Sequence, residues 1–172
     1  MAGACRGDVD AFASLVRRYQ DRVFTAALRL THNWASAEDM AQQAFLQAWQ
    51  RRHAYDRRWR VSTWLYSIVT NLCADERRRR ARAAALSPGL SSGRTPHPYE
   101  VLEEREARDR VNGALEVLPR AQRTVVVLRY LDDLSYAEIA RICGLPVNTV
   151  KSHLRRAKGA LRRELMAWKE ER

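Results

Sequence analysis

In the stretch Leu134-Ser-Tyr-Ala-Glu-Ile-Ala-Arg-Ile-Cys-Gly-Leu-Pro-Val-Asn-Thr-Val150, two helical patterns meet at a glycine. Ser135 and Glu138 have the spacing of a capping box, which predicts that a short helix begins at Tyr136. Gly144 is suited to cap the end of that helix, because glycine adopts a positive φ at little cost. This pattern predicts a DNA-binding helix-turn-helix.

A longer basic helix follows from about Val147. Its buried stripe is predicted to contain Val150, Leu154, Ala157, Leu161 and Leu165. Its outward positions are Thr149, Lys151, Ser152, His153, Arg155, Arg156, Lys158 and Arg162. Hydrogen-bond donors on the first turns suit base edges, and the flanking Arg and Lys side chains suit phosphates. A basic helix face alone is more often merely solvated, but the turn spacing in front of this one favours DNA binding.

Composition restricts the possible classes of protein. The 172 residues include 31 basic and 20 acidic side chains, and the net charge of +11 points to a polyanionic partner. No run of about 18 apolar residues is present, and Met1–Gly7 lacks the apolar core of a signal peptide. We therefore expect a cytoplasmic protein with no membrane contact of its own.

Catalytic and metal-binding patterns are not found in the sequence. The cysteines Cys5, Cys73 and Cys143 are far apart and form no CxxC, so neither a disulfide framework nor a zinc ribbon is indicated. The histidines fall on different predicted elements, and no HExxH, glycine-rich phosphate loop or G-x-S-x-G occurs. We expect no enzymatic activity, no cofactor and no metal.

A neutral segment divides the chain. Residues 81–105 carry three basic and three acidic side chains and contain three of the five prolines, which cannot continue a helix interior. No strand pattern competes with the helical ones on either side. We predict an all-α fold of two small helical domains, residues 8–85 and 106–170, joined by a flexible linker over residues 86–105.

The first domain is predicted to contain three helices. Apolar residues recur at helical steps from Phe12 to Leu30, and Ser36 with Asp39 then resembles a capping pair that opens the second helix. The second helix is predicted to bury Met40, Ala41, Phe45, Ala48 and Trp49 and to expose Glu38, Asp39, Gln42, Gln43 and Gln47. The third helix is opened by Ser62, has Leu65, Ile68, Val69 and Leu72 inward, and ends in Arg77–Arg80.

The second domain is predicted to begin with two helices before the helix-turn-helix. The first has Val111, Leu115 and Leu118 on one face and is halted by Pro119. The second begins at about Ala121 and has Val125, Leu128 and Leu131 inward.

Three motif groups follow one another along the chain. The first reads Ala37-Glu-Asp…Gln42…Ala44-Phe-Leu…Ala48-Trp49. The second reads Thr63-Trp-Leu-Tyr-Ser-Ile-Val-Thr-Asn71 with Asp75…Arg77-Arg. The third reads Leu118-Pro…Arg123…Leu134-Ser-Tyr-Ala-Glu-Ile-Ala…Gly144-Leu-Pro…Thr149-Val-Lys-Ser. In this order and spacing they resemble a bacterial RNA polymerase sigma factor of the extracytoplasmic-function (ECF) type, in which they correspond to regions 2.2, 2.3–2.4 and 4. The resemblance covers about residues 8–168.

The resemblance implies an alternative sigma factor, whose partners are core RNA polymerase, through its β′ coiled coil and β flap, promoter DNA and an anti-sigma factor. It assigns core-polymerase binding to Glu38, Asp39, Gln42, Gln43, Phe45 and Trp49. It assigns recognition of the −35 element to Thr149, Lys151, Ser152, His153, Arg155, Arg156 and Lys158.

Recognition and melting of the −10 element are assigned to Tyr55, Arg57, Arg58, Trp59, Trp64, Asn71, Arg77 and Arg78. Trp64 and Asn71 lie seven residues apart and therefore on one helix face, and the loop before them could close over an extruded base. Trp64 is equally well explained as a core residue.

A stand-alone helix-turn-helix regulator, with a sensing or dimerising first domain, is the alternative. It explains residues 118–165 equally well, but not the Asp39 and Gln42 surface, the aromatic loop or the Arg77–Arg80 run. Tight operator binding by the chain alone favours the regulator, and dependence on core polymerase favours the sigma factor.

Overall fold

The computed structural model describes residues 1–86 and 110–170, which belong to two compact units within Met1–Thr95 and Pro96–Arg172. Over these residues the regular secondary structure is helical, and no strand is present, which confirms the all-α prediction. None of the described helices is long and apolar enough to cross a membrane. Apart from Leu86, the predicted linker 86–105 lies outside the described residues, and the exact domain boundaries stay predictions.

The N-terminal unit is built around three long helices. Its elements are α1 (Ala2–Cys5), α2 (Val9–Thr31), α3 (Trp34–Gln50), a 3-10 turn (Arg52–Ala54) and α4 (Val61–Leu86). Helices α2, α3 and α4 pack against one another. The core between them contains Leu15, Val23, Ala26, Ala27, Ala37, Ala44, Ala48, Leu65, Tyr66 and Val69. The many alanines allow the helix backbones to approach closely.

The predicted start of α3 is wrong by three residues. Asn33, not Ser36, is the N-cap, and its side-chain oxygen accepts a hydrogen bond from the Ser36 backbone N–H at 2.9 Å. The Ser36 hydroxyl also donates to that oxygen, at 2.8 Å, and Ser36 lies buried within the first turn. The helix therefore begins at Trp34, because the earlier of two possible capping residues satisfies the free N–H groups.

Helix α4 is longer than predicted at its C-terminal end. It begins at Val61, with Ser62 buried in its first turn, and continues past Arg80 to Leu86. The added residues are mostly alanines, which have the highest intrinsic helix propensity. The basic run Arg77–Arg80 therefore lies within the helix.

The C-terminal unit contains the predicted helix-turn-helix. Its described elements are helical residues 110–116 (α5), α6 (Arg120–Leu131), α7 (Tyr136–Cys143) and α8 (Val147–Glu170). The Ser135–Glu138 capping box is present with both reciprocal hydrogen bonds, and Gly144 has a φ of 64°. The Leu145 N–H donates to the Ala140 carbonyl at 2.9 Å, which closes the turn. These contacts confirm the motif and its residues.

Some predicted inner positions of this unit lie near the surface. Val111 is 41% exposed and Leu165 is 56% exposed, whereas Leu131 and Leu161 are half-buried. Helix α8 has 24 residues, or about 36 Å, against 12 residues in α6 and eight in α7. Its C-terminal turns therefore extend past the helices that bury Val150, Leu154 and Ala157.

Candidate functional site

The first turns of α8 present a row of basic side chains on the surface. Lys151, Arg155, Arg156 and Lys158 are exposed, and no hydrogen bond or ion pair engages them within residues 1–86 and 110–170. Val150, Leu154 and Ala157, on the opposite side, are buried against α6 and α7. The helix is thus fixed by its apolar face while its charges remain available to a polyanion.

The remaining predicted −35 residues are less exposed. Thr149, Ser152 and His153 are half-buried. The Nδ1 atom of His153 is enclosed and has no hydrogen-bond partner in the described part of the chain. His153 therefore does not point fully outward, although the helical repeat predicts that it does.

Two further arginines of this unit hold backbone carbonyl groups. Arg123 donates from Nε to the carbonyl of Leu115 at 2.8 Å and from Nη2 to that of Glu116 at 3.0 Å. Arg129 donates from Nη1 to the carbonyl of Leu134 at 2.8 Å, directly before the helix-turn-helix. Carbonyls at helix ends and in turns lack partners in the helix, so these cations position the elements around the motif.

The exposed face of α3 brings together four of the six residues predicted to bind the polymerase. Glu38, Asp39, Gln42 and Gln43 are all exposed. Leu46, which sequence reasoning did not select, continues this face and is 62% exposed. Its position seven residues after Asp39 places it on the same side of the helix, and this spacing is the signal that identifies it.

Phe45 and Trp49, the other two predicted residues, are half-buried. The ring centroid of Trp49 lies 5.0 Å from that of Phe12, and the Arg52 guanidinium lies 4.3 Å from the Trp49 ring. Arg52 also donates from Nη1 to the Trp49 carbonyl at 2.8 Å. Trp49 therefore packs α3 against α2, and part of its side chain stays accessible.

A groove of about 820 Å³ runs between α3 and the C-terminal half of α4. Its lining residues are Asp39, Met40, Gln43, Leu72, Asp75, Glu76, Arg78, Arg79, Arg82, Ala83 and Leu86. Asp39 and Gln43 thus belong both to the exposed face of α3 and to one wall of the groove.

The loop between the 3-10 turn and α4 is closed by Tyr55. Its hydroxyl donates to the carbonyl of Trp59 at 2.5 Å, and its ring centroid lies 5.2 Å from that of Trp64. Burial raises the pKa of Tyr55, so the phenol stays a hydrogen-bond donor at neutral pH. Arg57 and Arg58 are exposed on the loop, and Arg58 pairs with Asp56 at 2.8 Å.

Beyond this loop, Trp59 and Trp64 are half-buried and Asn71 is exposed. The structure therefore brings the rings of Tyr55 and Trp64 together, and Tyr55 is also bonded to the backbone of Trp59. Asn71 lies about two turns further along α4, on the face that Trp64 shares.

The arginine run of α4 divides into exposed and internally bonded side chains. Arg77 is exposed, and Arg78 pairs with Asp75. Arg79 and Arg80 both donate to the Glu76 carboxylate, at 2.9 Å and 2.7 Å, and Arg80 also donates to the Ser36 hydroxyl on α3. The hydrogen bond from Arg79 is the main cause that lowers the pKa of Glu76. Arg80 therefore connects α4 to α3.

Groups that could bind a metal or act as a nucleophile are scarce. Among the described residues, no three His, Cys, Asp or Glu side chains are placed to hold a metal ion. Burial raises the pKa of the Cys143 thiol to about 11, so it stays protonated at neutral pH. Cys73 is buried beside the helix core.

Both units of the chain match known sequence families. The family described as Sigma-70 region 2 matches residues 15–83, and the family described as Sigma-70, region 4 matches residues 108–161. The fold, the helix-turn-helix and these two regions define the chain as a sigma factor of the sigma-70 class.

Similar proteins specify the branch of that class. The ECF RNA polymerase sigma factor SigW of Bacillus subtilis is 35% identical, and the match covers 93% of this chain and 91% of SigW. The ECF RNA polymerase sigma-E factor of Escherichia coli K12 is 33% identical, over 91% of this chain and 87% of that factor. The chain belongs to the ECF RNA polymerase sigma factors.

A solved structure supports the same assignment. The sigma factor RpoE from Bartonella quintana, determined in complex with the anti-sigma factor NepR, matches with a TM-score of 0.78 and 27% identity, covering 92% of this chain and 98% of that one. The chain is an alternative sigma factor, which binds core RNA polymerase and directs promoter-specific transcription initiation. The stand-alone regulator is not favoured, since the first unit is sigma region 2.

Proposed function

We propose that three separate surfaces of this chain carry out its work as a sigma factor. The first domain, residues 8–85, docks on the polymerase β′ coiled coil and captures the −10 element. The second domain, residues 106–170, contacts the β flap and reads the −35 element. Residues 86–105 link the two domains. The chain has no catalytic role of its own, because bond formation belongs to the polymerase. It acts in the cytoplasm, where its polymerase and promoters are.

The docking surface is the exposed face of α3, made of Glu38, Asp39, Gln42, Gln43 and Leu46. The observation that supports it best is the exposure of Leu46 beside four polar side chains. On binding, Leu46 would lose its contact with water, and the four polar side chains around it keep this face soluble when the chain is free. The half-buried Phe45 and Trp49 complete this surface.

The −10 surface is the aromatic loop with the exposed edge of α4. Trp59 and Trp64 provide stacking faces, Asn71 provides polar edges, and Arg57, Arg58, Arg77 and Arg78 provide charge for the backbone. Unpaired bases are held by this combination of stacking and positive charge, because every base has a π-face. Arg80 contributes through the α3–α4 contact, not through DNA.

The −35 surface is the first half of α8. Arg156 and Ser152 lie one turn apart and read bases, whereas Lys151 and Lys158 hold phosphates. Thr149, His153 and Arg155 complete this surface. Arg155 adds a further base or phosphate contact.

An anti-sigma factor is a further proposed partner. The Bartonella quintana relative was determined in complex with the anti-sigma factor NepR, and 92% of this chain matches that sigma factor in fold. Binding of such a partner to the docking face of α3 would compete directly with the polymerase.

Asp39→Arg tests the docking surface. It reverses a charge at the centre of the exposed α3 face, so we expect the affinity for core polymerase to fall about 10- to 100-fold, the range of a hydrogen-bonded charge contact. The measurement is a titration of labelled sigma chain with core polymerase. Asp21→Arg is the matched control, because Asp21 is exposed on α2, away from α3. Unchanged core affinity, with the helical CD spectrum intact, would reject this surface.

A further inference from the structure

The short helix α1 lies against the start of α2. Ala4 is fully buried, and the Asp8 N–H donates to the Gly3 carbonyl at 3.2 Å. A Cβ atom on Gly3 would lie 3.0 Å from the Cβ atom of Ala11 and 3.1 Å from Oδ2 of Asp8. The absence of a side chain at Gly3 therefore lets α1 approach α2 this closely, and a side chain there would force its neighbours apart.

Helix α1 also packs against the 3-10 turn that follows α3. A Cβ atom on Gly7 would lie 3.9 Å from Nη2 of Arg52, the first residue of that turn. Arg52 is itself fixed by its hydrogen bond to the Trp49 carbonyl and by the Trp49 ring. The N-terminal segment, the end of α3 and the turn thus form one packed unit.

The turn leads directly into the aromatic loop. The Tyr55 N–H donates to the Arg52 carbonyl at 3.4 Å, and the Tyr55 hydroxyl donates to the Trp59 carbonyl at 2.5 Å. The Trp59 N–H donates in turn to the Asp56 carbonyl at 3.1 Å. These bonds close the loop at both ends and leave little freedom to the backbone between Tyr55 and Trp59.

Cys5 on α1 lies near enough to Tyr55 to influence it electrostatically. After burial, the Cys5 thiol is the next cause that raises the pKa of Tyr55, and the Tyr19 phenol follows. Tyr55 is therefore linked to α1 by this proximity and by its N–H bond to Arg52, in the turn against which α1 packs. Movement of α1 would disturb the turn that holds Tyr55.

We propose that α1 and Tyr55 position the loop of residues 55–60 for recognition of the −10 base. Tyr55 is a positioning residue, since its hydroxyl is engaged by the Trp59 carbonyl and is not free for a base. Residues 1–7 lie outside the matched sigma region 2, which begins at residue 15, so this support is additional to the matched region. The inference rests on the −10 surface proposed above.

The test measures base selectivity apart from polymerase binding. Holoenzymes carrying the full chain select from single-stranded non-template oligonucleotides randomised over the −10 element, and the bound pool is sequenced. Gly3→Val displaces α1, and Gly113→Val is its matched control because no atom lies within 4 Å of a Cβ at Gly113. Tyr55→Phe removes only the hydroxyl, and Tyr130→Phe, at an exposed tyrosine of the C-terminal unit, is its control.

We expect Gly3→Val and Tyr55→Phe each to lower selectivity at the captured base by about three- to tenfold, the effect of losing one net hydrogen bond. Core affinity and both controls should remain at the wild-type level. Gly3→Ala should retain most of the selectivity, because its neighbours need to move by only a few tenths of an ångström. Such graded rescue distinguishes positioning from general destabilisation.

Asn71→Ala and Asn71→Asp, which remove or alter the polar edge that Asn71 offers to a base, separate the two possible failures. If they lower selectivity while Gly3→Val and Tyr55→Phe leave it unchanged, the positioning role is overturned and the −10 surface remains. If Tyr55→Phe lowers it and Gly3→Val does not, α1 has no part in positioning. If all four variants keep the wild-type selection, the proposed −10 surface itself is wrong, and this inference fails with it.

Discussion

At the level of single residues, the arginines of this chain have two different roles. Arg52, Arg123 and Arg129 donate to backbone carbonyls at 2.8 Å and hold turns in place. Arg155 and Arg156 are exposed on the first turns of α8. The planar guanidinium group suits both tasks, since it can satisfy several carbonyls or pair with guanine. Of these five arginines, Arg155 and Arg156 are the ones whose side chains remain available to bases.

Arg156→Ala should flatten selection at one or two positions of the −35 element. A bidentate contact of Arg with guanine O6 and N7 contributes about 1–3 kcal/mol of discrimination, which corresponds to a loss of roughly 5- to 150-fold. Lys158→Ala should instead lower transcription from all sequences alike, because a phosphate contact has no sequence preference. Run-off transcription from a library randomised over the −35 element measures both. An unchanged −35 selection with Arg156→Ala would mean that α8 is placed wrongly on the DNA.

At the level of elements, one carboxylate connects α4 to α3. Glu76 accepts hydrogen bonds from Arg79 and Arg80, and Arg80 also reaches Ser36 near the start of α3. The Glu76 side chain is only 12% exposed, so these contacts are partly shielded from solvent. This arrangement fixes the side of α4 that lines the groove between the two helices.

Glu76→Gln should reduce the dependence of stability on pH. Because the pKa of Glu76 is lowered in the folded state, its stabilisation is present above the unfolded pKa of about 4.3 and is lost as the pH falls through the folded-state value. We expect the variant to be about 1 kcal/mol less stable at pH 7 and to approach the wild type below about pH 4. Urea unfolding at several pH values, followed by CD, measures this.

Glu38→Gln is the matched control for this prediction, because Glu38 is exposed on α3. It should leave the pH profile of stability close to that of the wild type. Parallel profiles for Glu76→Gln and the wild type would show that the arginine contacts of Glu76 do not stabilise the fold.

At the level of the whole molecule, the sequence predicts features whose causes are local. The capping box at Ser135 and the turn at Gly144 are confirmed, because neighbouring residues alone determine them. The start of α3 is missed, because Asn33 and Ser36 are both good capping residues and the pattern cannot choose between them. The third motif contains Arg123, but its carbonyl contacts depend on how α5 and α6 meet, which the motif does not show.

The sequence also does not determine which side chains at the edge of α3 are exposed. Trp49 and Leu46 are three residues apart, and both lie at the border of the apolar stripe of α3. Packing against Phe12 and Arg52 leaves Trp49 only half-exposed, while Leu46 remains exposed. Helical periodicity places a side chain on a face, but tertiary packing decides whether another helix covers it.

The net charge of +11 should act on DNA only through the cations that are not used inside the fold. Each phosphate contact that is lost should reduce the slope of log K against log salt concentration by about 0.9, because fewer counterions are released. Lys158→Ala should therefore reduce the slope by that amount for holoenzyme on duplex promoter DNA.

Arg123→Met should leave the slope unchanged but destabilise the C-terminal unit by about 2 kcal/mol, because its carbonyl contacts are lost. Filter binding between about 50 and 200 mM salt, with CD melting of the same variants, separates the two effects. A slope that falls equally for both variants would show that Arg123 binds phosphate and that the carbonyl contacts do not engage it in the complex.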